Sequence, residues 1–278
     1  PTIAFKDYAM QFLARAFQKA LATTGRHSVI LGATSGDTGS AALQAFQNLD
    51  SVDIFILFPN GRVSPIQQKQ MTSLAGVGAY AVCVTGDFDT CQDIVKACFN
   101  DHSFRDDVNL SAINSINWAR LVPQIVYYFT SALKLGAPQQ EVAFSVPTGN
   151  FGNIFAGWAA KQMGLPIQKL IIASNKNDIL TRFFGAGKMQ RATVEKSLSP
   201  SMDIQVSSNF ERLLFELLGR DAELCAQKMS EFETTGSFDI SAQILTAAKQ
   251  TFVAYRADDA QTLQTIKSLY DKGAGVFD

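Results

Sequence analysis

The sequence has little of what builds metal centres and disulfide frameworks. Its 278 residues include four cysteines and two histidines, and no two cysteines stand in a Cys-x-x-Cys spacing. This scarcity disfavours a zinc site and a disulfide scaffold, and we expect a cytoplasmic protein without a metal. The 24 basic and 25 acidic residues leave a formal net charge of −1, so no overall basic field exists to hold nucleic acid or an acidic membrane.

Long hydrophobic runs are also missing. The longest strongly apolar stretch covers residues 52–59, whereas a membrane-spanning helix needs roughly 20 apolar residues. No basic segment precedes a hydrophobic run at the start of the chain. The composition is 47% hydrophobic and 18% charged, which is typical of a globular protein with a sizeable core. We therefore expect a protein that neither spans nor is targeted to a membrane.

Short β-branched segments alternate with longer segments of helical periodicity, which is typical of an α/β protein. The predicted strands cover residues 27–31, 52–58, 79–84, 142–146 and 167–173. The predicted helices cover about residues 7–23, 38–49, 88–100, 118–135 and 151–163, another begins at Ser64, and the region after Asn177 is predicted to be mainly helical. We predict two lobes, each a largely parallel sheet flanked by helices: a smaller lobe of residues 27–112 and a larger one of residues 113–278. A cleft between lobes is the expected site in such folds.

A loop rich in glycine and hydroxyl side chains follows the first predicted strand, at residues 32–39. Glycine lets the backbone turn so that amide groups point at an anion, and hydroxyls add donors. The loop lacks the lysine of a Walker A motif and the Gly-x-Gly-x-x-Gly spacing of a dinucleotide fingerprint. Two interpretations stay open at this point, an anion-binding loop and a tight turn capped by Asp37 or Thr38.

A second loop, at residues 147–153, follows an apolar strand and opens the next predicted helix. Its two glycines and the amides of Asn150 and Asn153 would hold a cofactor phosphate without adding positive charge. An asparagine N-cap at a strand-to-helix corner explains the same residues.

Lys6 and Arg120 are the candidate cations. Lys6 lies among apolar residues at the start of the first predicted helix, where desolvation would lower its proton affinity and prepare the amine to attack a carbonyl. Most lysines are solvated surface charges instead. Arg120 stands where another helix opens and could grip a phosphate or carboxylate in a two-pronged contact. Three polar residues beside it could complete this grip: Asn114, Ser115 and Asn117. The alternative is an asparagine N-cap beside an exposed arginine.

Four motifs occur in a fixed order: PTIAFKD at residues 1–7, ATSGDTG at 33–39, NSINWAR at 114–120 and PTGNFGN at 147–153. In this order they resemble the threonine synthase family of pyridoxal-phosphate-dependent enzymes, and the resemblance extends over nearly the whole chain. It implies the α/β fold called fold type II, similar to the tryptophan synthase β subunit, with residues 1–26 in the larger lobe. It also implies a longer protein, with further portions before Pro1 and after Asp278.

The resemblance implies a role for each motif. Lys6 would form the covalent link to pyridoxal 5'-phosphate and later act as a base, and Asp37 would contact the cofactor. The cofactor phosphate would be held by Gly149, Asn150, Phe151, Gly152 and Asn153. The substrate carboxylate would be surrounded by Thr34, Ser35, Gly36 and Thr38, and the substrate phosphate by Arg120 with Asn114, Ser115 and Asn117. A hydroxyl side chain beyond Asp278 would meet the pyridine nitrogen.

The implied reaction converts O-phosphohomoserine and water to threonine and phosphate by β,γ-elimination and replacement, which is the work of a carbon-oxygen lyase acting on phosphates. The only partner expected is this small-molecule substrate. A related phospho-lyase that releases a keto acid would share every motif. A truncated module that binds phosphate or cofactor without catalysis is an alternative from another class. A dinucleotide-dependent oxidoreductase is disfavoured because its glycine spacing is absent.

Overall fold

The computed structural model describes residues 2–74, 77–113 and 117–275. The chain separates into two compact units, one ending at Gln124 and the other beginning at Ile125. We call them unit 1 and unit 2. Within the described ranges, no helix is both long and apolar enough to cross a membrane.

Unit 1 is built on a parallel sheet. It contains α1 (Lys6–Thr24), β1 (Ser28–Ala33), α2 (Asp37–Phe46), β2 (Val52–Pro59), α3 (Pro65–Ser73), β3 (Ala79–Val84), α4 (Phe88–Asn100), α5 (His102–Asp107), β4 (Leu110–Ser111) and α6 (Trp118–Leu121). The strand order is β3-β2-β1-β4, and every pair is parallel. Parallel pairing brings the carboxyl ends of these strands to one edge of the sheet, where ligand-binding loops of such folds lie. The loop between β1 and α2 leaves from that edge.

Alternate residues of the central strand β2 fill the core of unit 1. Ile54, Ile56 and Phe58 are buried and face the same side of the sheet. They belong to one apolar cluster with Met10 and Leu13 of α1. Burying side chains of this size stabilises the unit by roughly 1.5–3 kcal/mol each, which fixes α1 and its first residues against the sheet.

Unit 2 has a second parallel sheet. It contains α7 (Ile125–Lys134), β5 (Val142–Pro147), α8 (Gly152–Gln162), β6 (Ile167–Ser174), α9 (Ile179–Ala186), β7 (Lys188–Gln190), α10 (Phe210–Leu217), α11 (Ala222–Thr235), β8 (Ser237–Asp239), α12 (Ala242–Thr251), β9 (Phe252–Arg256) and α13 (Asp259–Asp271). Strands β5, β6 and β9 pair in parallel in that order, and β7 pairs with β8 in antiparallel fashion. The two parallel sheets and their flanking helices confirm the predicted α/β class.

Phenylalanine rings form the centre of unit 2. The Phe151 and Phe210 rings meet edge to face with centroids 5.4 Å apart, and the Phe183 and Phe210 rings do so at 4.7 Å. Phe252 packs beside Phe151 with ring centroids 5.8 Å apart. Edge-to-face pairs of this kind add to area burial. The rings therefore hold the start of α8, the start of α10 and strand β9 together.

Two features differ from the predicted secondary structure. The predicted helix over residues 118–135 is interrupted by a 3₁₀ turn at Val122–Gln124 between α6 and α7, because Pro123 has no N–H to donate to the preceding turn. The region after Asn177 includes the strands β7, β8 and β9 besides its helices; β7 and β8 have three residues each, too few to show a period. Helix α1 packs on α2 in unit 1, while the sequence-based lobe boundaries at residues 26 and 112 stay a prediction.

Candidate active site

Lys6 is the first residue of α1 and lies on its buried side. Met10 and Leu13 follow it at positions i+4 and i+7 and are buried, so the helical period carries Lys6 onto the same face. Its side chain is 15% exposed, and its Nζ donates to Asp37 Oδ2 at 3.1 Å. Lys6 is therefore not the solvated surface lysine of the alternative interpretation.

The groups around Lys6 shift its pKa in opposite directions. Burial lowers the pKa of Lys6 below its ordinary value of 10.5, the negative charge and hydrogen bond of Asp37 raise it, and the positive charge of Arg120 lowers it further. Burial is the largest of these effects, so the pKa of Lys6 lies below that of an exposed lysine. A lowered pKa leaves more of the amine unprotonated and nucleophilic.

A carboxylate holds the segment that precedes Lys6. The backbone N–H groups of Thr2 and Ile3 donate to Asp7 Oδ2 at 2.7 and 3.1 Å, and the Thr2 hydroxyl donates to Asp7 Oδ1 at 2.5 Å. The side chain of Gln70 in α3 donates to the Thr2 carbonyl at 3.0 Å. These bonds fix the entry into α1 and so the position of the amine.

The loop that presents Asp37 is held by Thr34. The hydroxyl oxygen of Thr34 accepts hydrogen bonds from the backbone N–H groups of Gly36 and Gly39, at 3.0 and 2.9 Å. A Cβ on Gly39 would lie 2.5 Å from Thr34 Cγ2 and 2.8 Å from Met71 Sδ, which excludes any larger residue there. Gly36, not Asp37 or Thr38, is the N-cap residue of α2, and the first-turn N–H of Gly39 is bound by the Thr34 hydroxyl. The prediction of a turn capped by Asp37 or Thr38 is therefore wrong.

Gln67 is a half-buried neighbour of Asp37 that the sequence did not indicate. Its Nε2 donates to Asp37 Oδ1, opposite the oxygen that faces Lys6. Its Oε1 is buried and has no hydrogen-bond partner among the described residues. Ser64 caps α3 by accepting from the Gln67 backbone N–H at 3.2 Å, and a predicted helix start at Ser64 is the one signal that could have located Gln67.

Arg120 is buried, contrary to the interpretation as an exposed arginine. It is 5% exposed, and its Nη1 donates to the Ile113 carbonyl at 2.7 Å. Its Nε is buried without an acceptor, and no carboxylate of the described residues pairs with it. Burial lowers the pKa of Arg120 to about 10, so the guanidinium still carries its charge at neutral pH. A buried cation without an acidic partner is costly unless an anionic ligand balances it.

Of the three polar residues predicted to bind beside Arg120, the structure describes one. Asn117 is the N-cap of α6, and its Oδ1 accepts from the Ala119 backbone N–H at 2.9 Å. The asparagine-cap interpretation is confirmed for this residue. Asn114 and Ser115 lie outside the described residues.

Unit 2 contributes the loop between β5 and α8. Phe151 is the N-cap residue of α8 in the left-handed conformation, with φ 61°, and no side chain caps the helix. The alternative interpretation, an asparagine N-cap, is therefore wrong for this helix. Among the described residues, the backbone N–H groups at positions 149–152 have no acceptor. N–H groups left free at the start of a helix are a natural site for an anion.

The carbonyl groups of Gly149 and Asn150 in this loop both accept hydrogen bonds. The Ser207 hydroxyl donates to the Gly149 carbonyl at 2.7 Å, and the Asn209 backbone N–H and side-chain Nδ2 donate to the Asn150 carbonyl at 3.1 and 3.0 Å. A Cβ on Gly149 would lie 3.3 Å from the Ser201 carbonyl oxygen. The loop is therefore packed from one side by residues 201–209.

Asn153 is held by the hydroxyl of Tyr128. This hydroxyl lies 2.7 Å from Asn153 Oδ1 and 2.9 Å from the Asn153 carbonyl. Burial raises the pKa of Tyr128 well above its ordinary value, so the group stays a protonated donor. Through these contacts to Asn153, Tyr128 holds the first turn of α8 in place.

Comparisons with known proteins show the family of this chain. The model of the family described as pyridoxal-phosphate dependent enzyme matches residues 1–254. The chain is 50% identical to a threonine synthase of Pseudomonas aeruginosa and 45% identical to that of Saccharomyces cerevisiae; the matches cover 100% and 98% of this chain and 59% and 57% of those proteins. A crystal structure of pyridoxal-phosphate-bound threonine synthase from Brucella melitensis matches with a TM-score of 0.97 and 55% identity, over 100% of this chain and 60% of that one. The chain thus spans about 60% of the length of the relatives it matches.

Proposed function

Because the chain belongs to the family of pyridoxal-phosphate-dependent enzymes, we propose that it carries the active-site residues of a threonine synthase acting on O-phosphohomoserine and water. The observation that carries this proposal is the buried amine of Lys6, which is paired with Asp37 and has a lowered pKa. The names of the relatives supply the reaction, and the residues of this chain fit it.

The loop of residues 149–152 fits the phosphate of the cofactor. Its N–H groups have no acceptor among the described residues, and the helix α8 that follows adds the positive end of its dipole. A side chain at Gly149 would crowd the backbone at Ser201. Neutral N–H donors also suit the sequence, which offers no arginine or lysine between residues 147 and 153.

Lys6 has two tasks in the proposed reaction. Its unprotonated amine would hold the cofactor covalently through the cofactor's aldehyde carbon. The same amine, when free, would take up the proton of the substrate α-carbon at its Nζ and return it at the end. When bound, pyridoxal phosphate supplies a conjugated ring that spreads the negative charge left on that carbon. Asp37 accepts from the Lys6 Nζ and keeps the amine aimed in one direction.

Arg120 is the residue of unit 1 with the charge to bind the substrate phosphate. Its cation is buried, lacks an acidic partner among the described residues and has one nitrogen without an acceptor. A phosphate dianion would provide the missing charge and acceptors, and a planar guanidinium suits it. Thr34 uses its hydroxyl oxygen to hold the N–H groups of Gly36 and Gly39. We therefore propose that the backbone N–H of Ser35 and the hydroxyl of Thr38 bind the substrate carboxylate, and that Thr34 and Gly36 shape the loop around it.

Replacing Asp37 with asparagine is expected to shift the attachment of pyridoxal phosphate to lower pH. Asp37 raises the pKa of Lys6 by its charge and hydrogen bond, so the neutral amide lets the pKa fall further below 10.5. The rate of attachment follows the unprotonated amine, and its pH midpoint must move with this pKa. The rate is measured by visible absorbance across a pH series. Asp50→Asn, at an exposed carboxylate of the same unit, is the control; an unmoved or raised midpoint for Asp37→Asn contradicts the prediction.

The proposed reaction is tested by its products. We expect the protein, loaded with pyridoxal phosphate and given O-phosphohomoserine, to release one threonine for each phosphate. Phosphate together with a keto acid would support the related phospho-lyase instead. Bound cofactor with no phosphate release would support a module that binds without catalysis.

A further inference from the structure

We infer that Ser207 and Asn209 are positioning residues for the cofactor phosphate. Ser207 binds the carbonyl of Gly149 and Asn209 that of Asn150, and these bonds aim the N–H groups of Asn150 and Phe151 at the phosphate. This inference rests on the proposed function, because it takes the loop of residues 149–152 as the phosphate site. Neither residue is part of the four sequence motifs, and both lie more than 50 positions further along the chain.

The argument begins with the planarity of the peptide bond. In a trans peptide the carbonyl of one residue and the N–H of the next point in opposite directions. The Gly149 carbonyl is fixed by the Ser207 hydroxyl at 2.7 Å, so the N–H of Asn150 points away from Ser207. The Asn150 carbonyl is fixed by Asn209, so the N–H of Phe151 points away from Asn209. Both N–H groups are among those without a described acceptor.

The two positioning residues are themselves held rigidly. Asn209 is 1% exposed, and its Oδ1 accepts from Arg212 Nε at 3.2 Å. The Ser207 carbonyl accepts from the backbone N–H of Phe210 at 3.0 Å, and the Phe210 ring packs edge to face on Phe151. Polar bonds and ring packing thus join the same two segments, and the loop does not have to be ordered when the phosphate binds.

The two residues contribute unequally. Ser207 is the one described donor to the Gly149 carbonyl. The Asn150 carbonyl keeps the backbone N–H of Asn209 when the side chain is removed. Loss of the Ser207 hydroxyl therefore frees its peptide completely, whereas loss of the Asn209 side chain frees its peptide only in part.

The test compares pyridoxal phosphate with pyridoxal, which lacks the phosphate. We expect Ser207→Ala to weaken binding of pyridoxal phosphate by about tenfold and Asn209→Ala by about threefold. The affinity for pyridoxal should change by less than about twofold in both. Ser207→Thr keeps a hydroxyl and should restore most of the affinity. Ser241→Ala removes the N-cap of α12 in the same unit and should leave both affinities unchanged. Binding is followed by visible absorbance, without any measure of turnover.

The outcomes separate the inference from the function on which it rests. If the unchanged protein binds pyridoxal phosphate no better than pyridoxal, the loop is not a phosphate site, and both the proposed function and the inference are overturned. If it prefers pyridoxal phosphate but the alanine variants keep that preference, the inference alone is overturned. Equal weakening of both ligands would mean that Ser207 and Asn209 act on folding, which also overturns the inference.

Discussion

Replacing Lys6 with alanine is expected to abolish the covalent attachment of pyridoxal phosphate and to slow phosphate release from O-phosphohomoserine by about 10³-fold or more, because one residue supplies both the nucleophile and the base. Lys6 is the one lysine for which burial, an ion pair with Asp37 and a lowered pKa coincide among the described residues. The measurement is the visible absorbance of the loaded protein, followed by borohydride reduction and peptide mass mapping. An adduct on Lys6 in the unchanged protein, and none in the variant, is the expected result.

Two further variants distinguish the nucleophilic role of the Lys6 amine from the role of its positive charge. Lys6→Arg keeps a cation that can pair with Asp37 but is too weakly nucleophilic to attach the aldehyde. We expect it to fold like the unchanged protein and to give no adduct. Lys19→Ala removes an exposed lysine of the same helix and should leave the adduct on Lys6 intact. An adduct of unchanged amount in Lys6→Ala, mapped to other lysines, would mean that the attachment is nonspecific.

The parts of the site predicted from the sequence are those carried by continuous segments. Lys6 at the start of a helix, and the loops at residues 32–39 and 147–153 directly after apolar strands, could be located because the strand and helix periods place them there. The parallel pairing of β1 with β2 and of β5 with β6 then puts each loop at a carboxyl edge.

The supporting residues could not be predicted, because each reaches its partner from a distant part of the chain. Gln67 reaches Asp37 across 30 positions, and Ser207 reaches Gly149 across 58. A single half-buried glutamine or serine leaves no pattern that distinguishes it from a surface residue. The interpretations with a side-chain cap at Asp37 or at an asparagine of the loop of residues 147–153 are wrong for different reasons. In α2 the hydroxyl of Thr34, which lies before the helix, accepts from the N–H of Gly39, whereas α8 begins at Phe151 without a side-chain cap.

Replacing Arg120 with methionine is expected to raise the KM for O-phosphohomoserine by about 10²-fold to 10³-fold, since a buried charge-assisted contact to the substrate phosphate is lost. The same variant should not lose stability. The buried guanidinium has one described hydrogen bond, to the Ile113 carbonyl, and no acidic partner among the described residues. Removing such a charge raises the free energy of unfolding by ~1 kcal/mol. KM and the inhibition constant of inorganic phosphate report binding, and urea unfolding of the protein without ligands reports stability.

The effect of Arg120→Met on Lys6 distinguishes a ligand-binding cation from a structural one. The charge of Arg120 lowers the pKa of Lys6, so its removal should move the pH midpoint of pyridoxal phosphate attachment upward, opposite to the shift expected for Asp37→Asn. A variant that is strongly destabilised, with KM unchanged, would show that Arg120 serves the fold. A variant that is at least as stable as the original, binds phosphate poorly and has a raised midpoint would require the cation to act on the substrate, because loss of a purely structural residue would lower stability.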